Sequence, residues 1–387
     1  MPFMSLALLV FLQDAIKPER YYELRRQIFV ELADLCSKTG DACARSRDYE
    51  AASMFHSFAS TLDRTVDAYL EKHREDLKNV QVREPFRSAV PAGASRQAFN
   101  RFKQLERLAK EAKLADEASM ISVLAMQAEQ LPALLDGVRR LNDYRTLLKI
   151  PPVGVSQELS FACMLHCRYM ALEDYGHDER KSSPYYDERG ERAGQASVIA
   201  GGSSVAHTVD LHMSTFYHRI ELIDPGTRAV GIGAWPDKKE LLTAIDARRM
   251  KDEASEILVY PVHGQKNVPL EFAMGRGEFP DPLPKGRKDG GCPITLTCTG
   301  RYAPMIREDD QPEVVLEDAN GDRIPIWISY PTRPANLKVK DNSLSVCAIP
   351  WVPLKKNAQY RATFTVRIDG KARQFVTVFT TENTKSR

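Results

Sequence analysis

The sequence predicts an α+β multidomain chain: a helical N-terminal region, a central unit in which helices and strands alternate, and a C-terminal all-β sandwich. Three observations carry this. Apolar residues recur at helical spacing between residues 18 and 148. From 150 to 265 helix-like stretches are interleaved with short apolar runs. Beyond 292 the chain becomes a succession of strand-like runs separated by turn residues. A length of 387 residues exceeds one ordinary core, and a hydrophobic content of 43% supplies several. The expected division is residues 1–15, a possible signal segment; 16–149, helical; 150–265, the mixed unit; 266–291, a linker; and 292–387, a β-sandwich.

The elements follow in order. The run Phe3 to Leu12 is too short to span a bilayer. It reads either as the apolar part of a secretion signal cut near Ala15 or as a buried first helix. Leu24, Ile28, Leu32 and Leu35 form one helical stripe; Asp48 is a candidate cap for the next, with Ala51, Phe55, Phe58, Leu62, Val66 and Tyr69. A Pro/Gly/Ser-rich break covers Val82 to Arg96, and Phe99, Phe102, Leu105 and Leu108 resume the pattern. Pro151 and Pro152 end the helical region, and Ser156 is placed to cap a helix reaching Glu173. Ser203 to Phe216 reads as another helix, Ala229 to Ala234 and Glu256 to His263 as buried strands. Strands are then expected at Pro293 to Cys298, Glu313 to Leu316, Arg323 to Ile328, Ser343 to Ile349, Tyr360 to Ile368 and Gln374 to Thr381. The ending, DGK from Asp369 and then FTT from Phe379, resembles the last hairpin of immunoglobulin-like domains, which implies an immunoglobulin-like sandwich for 292–387.

Charge excludes one class of partner. Lys plus Arg number 54 and Asp plus Glu 52, a formal net charge of +2, so nothing pulls the chain toward nucleic acid. The seven cysteines include no C-x-x-C pair, which removes zinc-ribbon and thioredoxin readings. Cys163 and Cys167 share a helix face as small packing residues, while one disulfide among Cys292, Cys298 and Cys347 stays open.

The central unit resembles a known family. His166 sits in the helix-like ELSFACMLHCRYMA; YGHDE follows from Tyr175 to Glu179, then SPYYDERGERAGQASVIAGG from Ser183 to Gly202. The segment VDLHMSTFYHRIELIDPGTRAVGIG, Val209 to Gly233, aligns Ser214, His218, Arg219, Leu222, Pro225, Gly231 and Gly233 with a W-M-x-S-x-x-H-R block. Together these are similar to the CAP superfamily of cysteine-rich secretory, antigen 5 and pathogenesis-related proteins. The resemblance implies an α-β-α sandwich with a groove, in which two histidines and two glutamates can bind a divalent metal such as zinc. By position the histidines are His166 and His218; Gln195 replaces one acid, and His212 stands at the tryptophan position with no acid after it.

The bland readings remain beside the sharp ones. His166 is either a satisfied core histidine or a groove ligand, and His218 either a groove residue or a complement to a helix C-terminus. His177, Asp178 and Glu179 read as a solvated acidic turn, His212 as packing. The GGSS run from Gly201 to Ser204 reads as a helix cap, and Ser214 with His218 lacks the third group of a catalytic set. No G-x-S-x-G, H-E-x-x-H or P-loop occurs. The expectation is an extracellular or envelope protein that binds a protein or cell-envelope polymer without catalysis. The alternatives are a metal-assisted hydrolase and a helical interaction scaffold with the central unit as passenger.

Overall fold

A computed structural model describes residues 16–62, 91–272, 278, 279, 281–284, 286, 287, 289–305, 311–334, 344–368 and 370–383. The candidate signal run, Val66, Tyr69 and most of the Pro/Gly/Ser-rich break lie outside these residues. The chain divides into two compact units, Met1–Pro132 and Ala133–Arg387. Among the described residues no helix is long and apolar enough to cross a membrane.

The first unit is helical, as its periodicity predicts: α1 (Pro18–Arg45), α2 (Tyr49–Leu62), α3 (Pro91–Glu111) and the start of α4 (Ala115–Leu147). Asp48 caps α2, its carboxylate accepting from the Ala51 amide at 3.4 Å. Ile28, Leu32, Cys36, Phe55, Phe58, Phe102 and Leu105 are buried. Gly40 lets α1 approach α2, since a Cβ there would sit 2.3 Å from the His56 ring. Pro132 lies inside α4. It offers no N–H to the Ala128 carbonyl one turn back, and the buried Ser95 hydroxyl donates to that carbonyl instead.

The second unit opens with the α-β-α sandwich that the resemblance implies. Its sheet has the order β1-β3-β4-β2. The strands are β1 (Gly154–Val155), β2 (Ser197–Gly202), β3 (Ala229–Pro236) and β4 (Leu241–Asp246). Three helices of this layer are α5 (Gln157–Leu172), α6 (Glu188–Ala196) and α7 (Val205–Met213). Ser156 caps α5 as expected, accepting from Leu159 N at 3.4 Å.

Strand alternation explains Gly231 and Gly233. Both face α5, where a Cβ would meet the Leu159 backbone and, at 2.5 Å, the Cys163 carbonyl carbon and Met164 nitrogen. The intervening Ile232 faces the other way, against Gly137 near the end of α4. Because β1 has only two residues, it cannot pair with the far half of β3. Two amides there are met from α5: Ile232 N donates to Ser160 Oγ at 3.1 Å and Ala234 N approaches Met164 Sδ at 3.2 Å.

Two antiparallel sheets follow. One has the order β5-β6-β9-β8, from β5 (Ile257–Tyr260), β6 (Ile294–Cys298), β8 (Ile326–Ser329) and β9 (Ser345–Pro350). The other has β11-β10-β7, from β7 (Glu313–Asp318), β10 (Gln359–Ile368) and β11 (Lys371–Thr380). One core joins their faces, with Ile294, Leu296, Val346 and Ala348 from the first and Leu316, Ala362, Phe364 and Phe379 from the second. Ile368 pairs with Lys371, and Gly370 takes the left-handed conformation, φ 72°, that the Asp-Gly turn signal anticipates.

Two expectations change here. The strand at Glu256 to His263 pairs with β6 rather than with the α-β-α layer. The stretch expected as a linker is packed, with Val268, Leu270, Phe272 and Leu283 buried. All seven cysteines are buried free thiols, so the disulfide left open among Cys292, Cys298 and Cys347 does not form.

Candidate functional site

After α7 the chain turns tightly into a short helix, α8 (Tyr217–Leu222). The Ser214 hydroxyl donates to Leu211 O at 2.6 Å, and the Thr215 hydroxyl to His212 O at 2.7 Å. Ser214 is thereby a turn residue and makes no bond to His218. The turn brings His212, on the buried face of α7, beside His218 on α8, with ring centroids 5.1 Å apart. His177, from the loop after α5, lies near enough to act electrostatically on both. Its Nδ1 is 2.8 Å from the Gly194 carbonyl, which only accepts. That nitrogen therefore carries a proton.

His166 is not part of this cluster. Its Nδ1 is 2.9 Å from Glu179 Oε1 and its Nε2 is 2.9 Å from the Gly176 carbonyl, so both nitrogens are held by protein groups. The expected pairing of His166 with His218 as metal ligands does not form here, because both His166 ring nitrogens are already engaged by protein groups. Glu179, expected in a solvated turn, is buried. Its second oxygen accepts from Asp187 N at 3.1 Å, at the start of α6. Gly190 and Gly194, four apart on α6, leave space for the Glu179 carboxylate and the His166 ring; a Cβ on Gly194 would lie 2.3 Å from His166 Cε1. Gln195 is exposed and donates to Glu191 Oε1 at 2.8 Å, away from the histidines. Among the described residues no group of three His, Cys, Asp or Glu side chains is arranged to hold a metal ion.

An acid missed in the sequence stands at the site. Glu278 reaches it from the packed stretch after β5 and is wholly buried there. Its Oε2 accepts from Phe216 N and its Oε1 from His218 N, each at 2.9 Å, and Oε1 lies 3.7 Å from His218 Nδ1. Next to it Arg219 is buried, donating to Met213 O and Pro293 O at 3.0 Å, with its guanidinium 4.5 Å from the Tyr260 ring centroid. No spacing rule links Glu278 to residues about sixty positions earlier, whereas His177 was visible as a third histidine in YGHDE.

Residues 138–241 match the sequence profile of the Cysteine-rich secretory protein family, CAP. The chain carries a CAP domain. The match begins inside α4, where Asn142 and Arg145 clasp the sandwich, and ends at the first residue of β4. Glu278, which contacts Phe216 and His218, lies outside the matched segment. A comparison with curated proteins gives no match.

Burial sets the charge of the CAP-site histidines. It pushes the His218 pKa down to about 4, with His177 and Arg248 adding to the effect, and pushes His212 well below its ordinary 6.5. Burial raises Glu278 to about 7, against the amide bonds and Arg219. A depressed histidine binds its proton more weakly in the folded than in the unfolded chain. Its stabilising contribution is thus complete above the unfolded value of about 6.5 and is lost as pH falls through the folded value. Glu278 acts oppositely: its contribution is complete below about 4.5 and is lost as pH rises through about 7. The two histidines outweigh the one acid. Stability is therefore expected to fall between pH 7 and pH 4, with His218 and Glu278 nearly offsetting each other and His212 deciding the sign. Urea midpoints across that range, for the wild type and His212→Phe, check this. A variant as acid-labile as the wild type would remove His212 from the account.

Proposed function

We propose that this chain is a non-enzymatic binding protein of the extracellular space or cell envelope, recognising a protein or cell-envelope polymer at the CAP groove beside His177, His212 and His218. One observation carries the reading. The His212 and His218 imidazoles are neutral at physiological pH, and His212 Nε2 is buried without a hydrogen-bond partner among the described residues. The adjacent carboxylate is engaged by backbone amides. A histidine that protonates only near pH 4 accepts hydrogen bonds at neutral pH but is a weak base for activating water. In this reading the two C-terminal sheets form an immunoglobulin-like sandwich that acts as a spacer or adhesion module, and the N-terminal helices present a second surface. The metal-assisted hydrolase is the competing reading, because the unpartnered His212 Nε2 could also face a cation such as zinc.

Sedimentation of the full chain with isolated cell-wall polymer, beside a His177→Ala, His218→Ala variant, tests the proposal. At least about tenfold weaker binding by the variant is expected, equivalent to 1.4 kcal/mol. Equal binding by both proteins would move recognition away from the groove. Peptide or cell-wall turnover that vanishes in His218→Ala, with Zn²⁺ uptake by calorimetry, would replace this reading by the hydrolase. Fractionation of the native host is expected to place the protein outside the cytosol; a wholly cytosolic pool would overturn that part.

A further inference from the structure

We infer that Glu278 is the positioning residue of His218, fixing both the backbone of the turn and the tautomer that the imidazole presents to the groove. The inference deepens the proposed groove reading and rests on it only for its consequence in binding.

The geometry points one way. Thr215 Oγ1 already donates to His212 O at 2.7 Å, so toward His218 Nδ1, 3.5 Å away, it can only accept. Glu278 Oε1, 3.7 Å from the same nitrogen, is a second acceptor. A neutral imidazole facing two acceptors through Nδ1 carries its proton there and leaves Nε2 as a lone pair. This is the arrangement by which a neighbouring carboxylate orients a histidine that works through its other nitrogen. Glu278 also fixes where the ring stands. Its two oxygens hold Phe216 N and His218 N, on either side of Tyr217, at the first turn of α8. No side chain of α8 itself caps that turn. Glu278 lies outside the matched CAP segment, so the groove of this chain depends on residues that the domain boundary excludes.

The test uses the full chain labelled with ¹⁵N, and reads the ring nitrogens of His218 by long-range proton–nitrogen correlation at neutral pH. The wild type is expected to show one tautomer, protonated at Nδ1 and bare at Nε2. Glu278→Gln retains the size of the side chain but loses one acceptor oxygen. It is expected to give a tautomer mixture or the Nε2–H form, with weaker sedimentation on cell-wall polymer. A Gln variant that is less stable yet keeps the pure Nδ1–H form would reduce Glu278 to a helix cap and overturn the inference. If the variant fails to fold, the wild type alone decides: an Nε2–H tautomer there overturns it equally. A tautomer change without any polymer binding by the wild type would retain the positioning role and remove the proposed function, so the two failures are distinguishable.

Discussion

Gly233→Ala is expected to destabilise the second unit by about 3 kcal/mol or more, the upper end of what overpacking costs and beyond it where backbone cannot yield. The added methyl would sit 2.5 Å from two backbone atoms of α5, the Cys163 carbonyl carbon and the Met164 nitrogen. Side chains can rotate away from such a contact; a helix backbone can only translate. Translation of α5 would lengthen the bonds from Ile232 N to Ser160 and from Ala234 N to Met164, the substitutes for a strand partner that β1 is too short to provide. It would also move His166, buried on the same helix against Glu179. Urea unfolding with an unchanged denaturant slope measures the loss. A shift below about 0.5 kcal/mol, the range of ordinary surface changes, would mean that α5 does not pack on β3 at this spacing.

The same contact shows what a sequence can and cannot express. Gly231 and Gly233 were legible as a G-x-G pattern in a strand, and the six C-terminal strands were legible because alternation and turn residues are local signals. Caps at Asp48, Ser156 and Ser204 were legible for the same reason. The strand β4 was not read, although it sits inside the sheet between β3 and β2. Leu241–Asp246 is a short run between charged residues, and its burial on both faces erases the alternation that would reveal it. Glu179 was read as solvated because its partners, His166 and the start of α6, are thirteen residues behind and eight ahead, a distance only the fold closes. His166 was the more conspicuous histidine, on a clear helix in a familiar context. His177, in a loop, lies near enough to act on both His212 and His218, and its Nδ1 is held by the Gly194 carbonyl.

Arg145→Leu is expected to cost about 3 to 5 kcal/mol, because it strips the donor from several buried carbonyls at once. Arg145 is fully buried near the C-terminal end of α4. Nε donates to Pro151 O at 2.7 Å, Nη1 to Leu222 O at 2.8 Å and Asp224 O at 3.0 Å, and Nη2 to Thr227 O at 3.2 Å. One planar side chain thus ties together the turn after α4, the end of α8 and the loop that leads into β3. Asn142, one turn earlier, makes a two-bond clasp with Val153 at 2.8 and 3.1 Å, fixing the same corner. Burial lowers the Arg145 pKa to about 10, with Asp224 opposing, so the side chain stays charged at neutral pH. Desolvating that cation offsets part of what its bonds contribute, which is why the expected loss is less than four separate hydrogen bonds to a charge would give. Arg145→Lys restores a charge and three donors without the planar fork, and is expected to recover less than half of the loss. Chemical denaturation of the three proteins side by side decides the point. Lysine restoring full stability would mean that charge alone, rather than the fixed fork, holds the corner on which α8 and His218 rest.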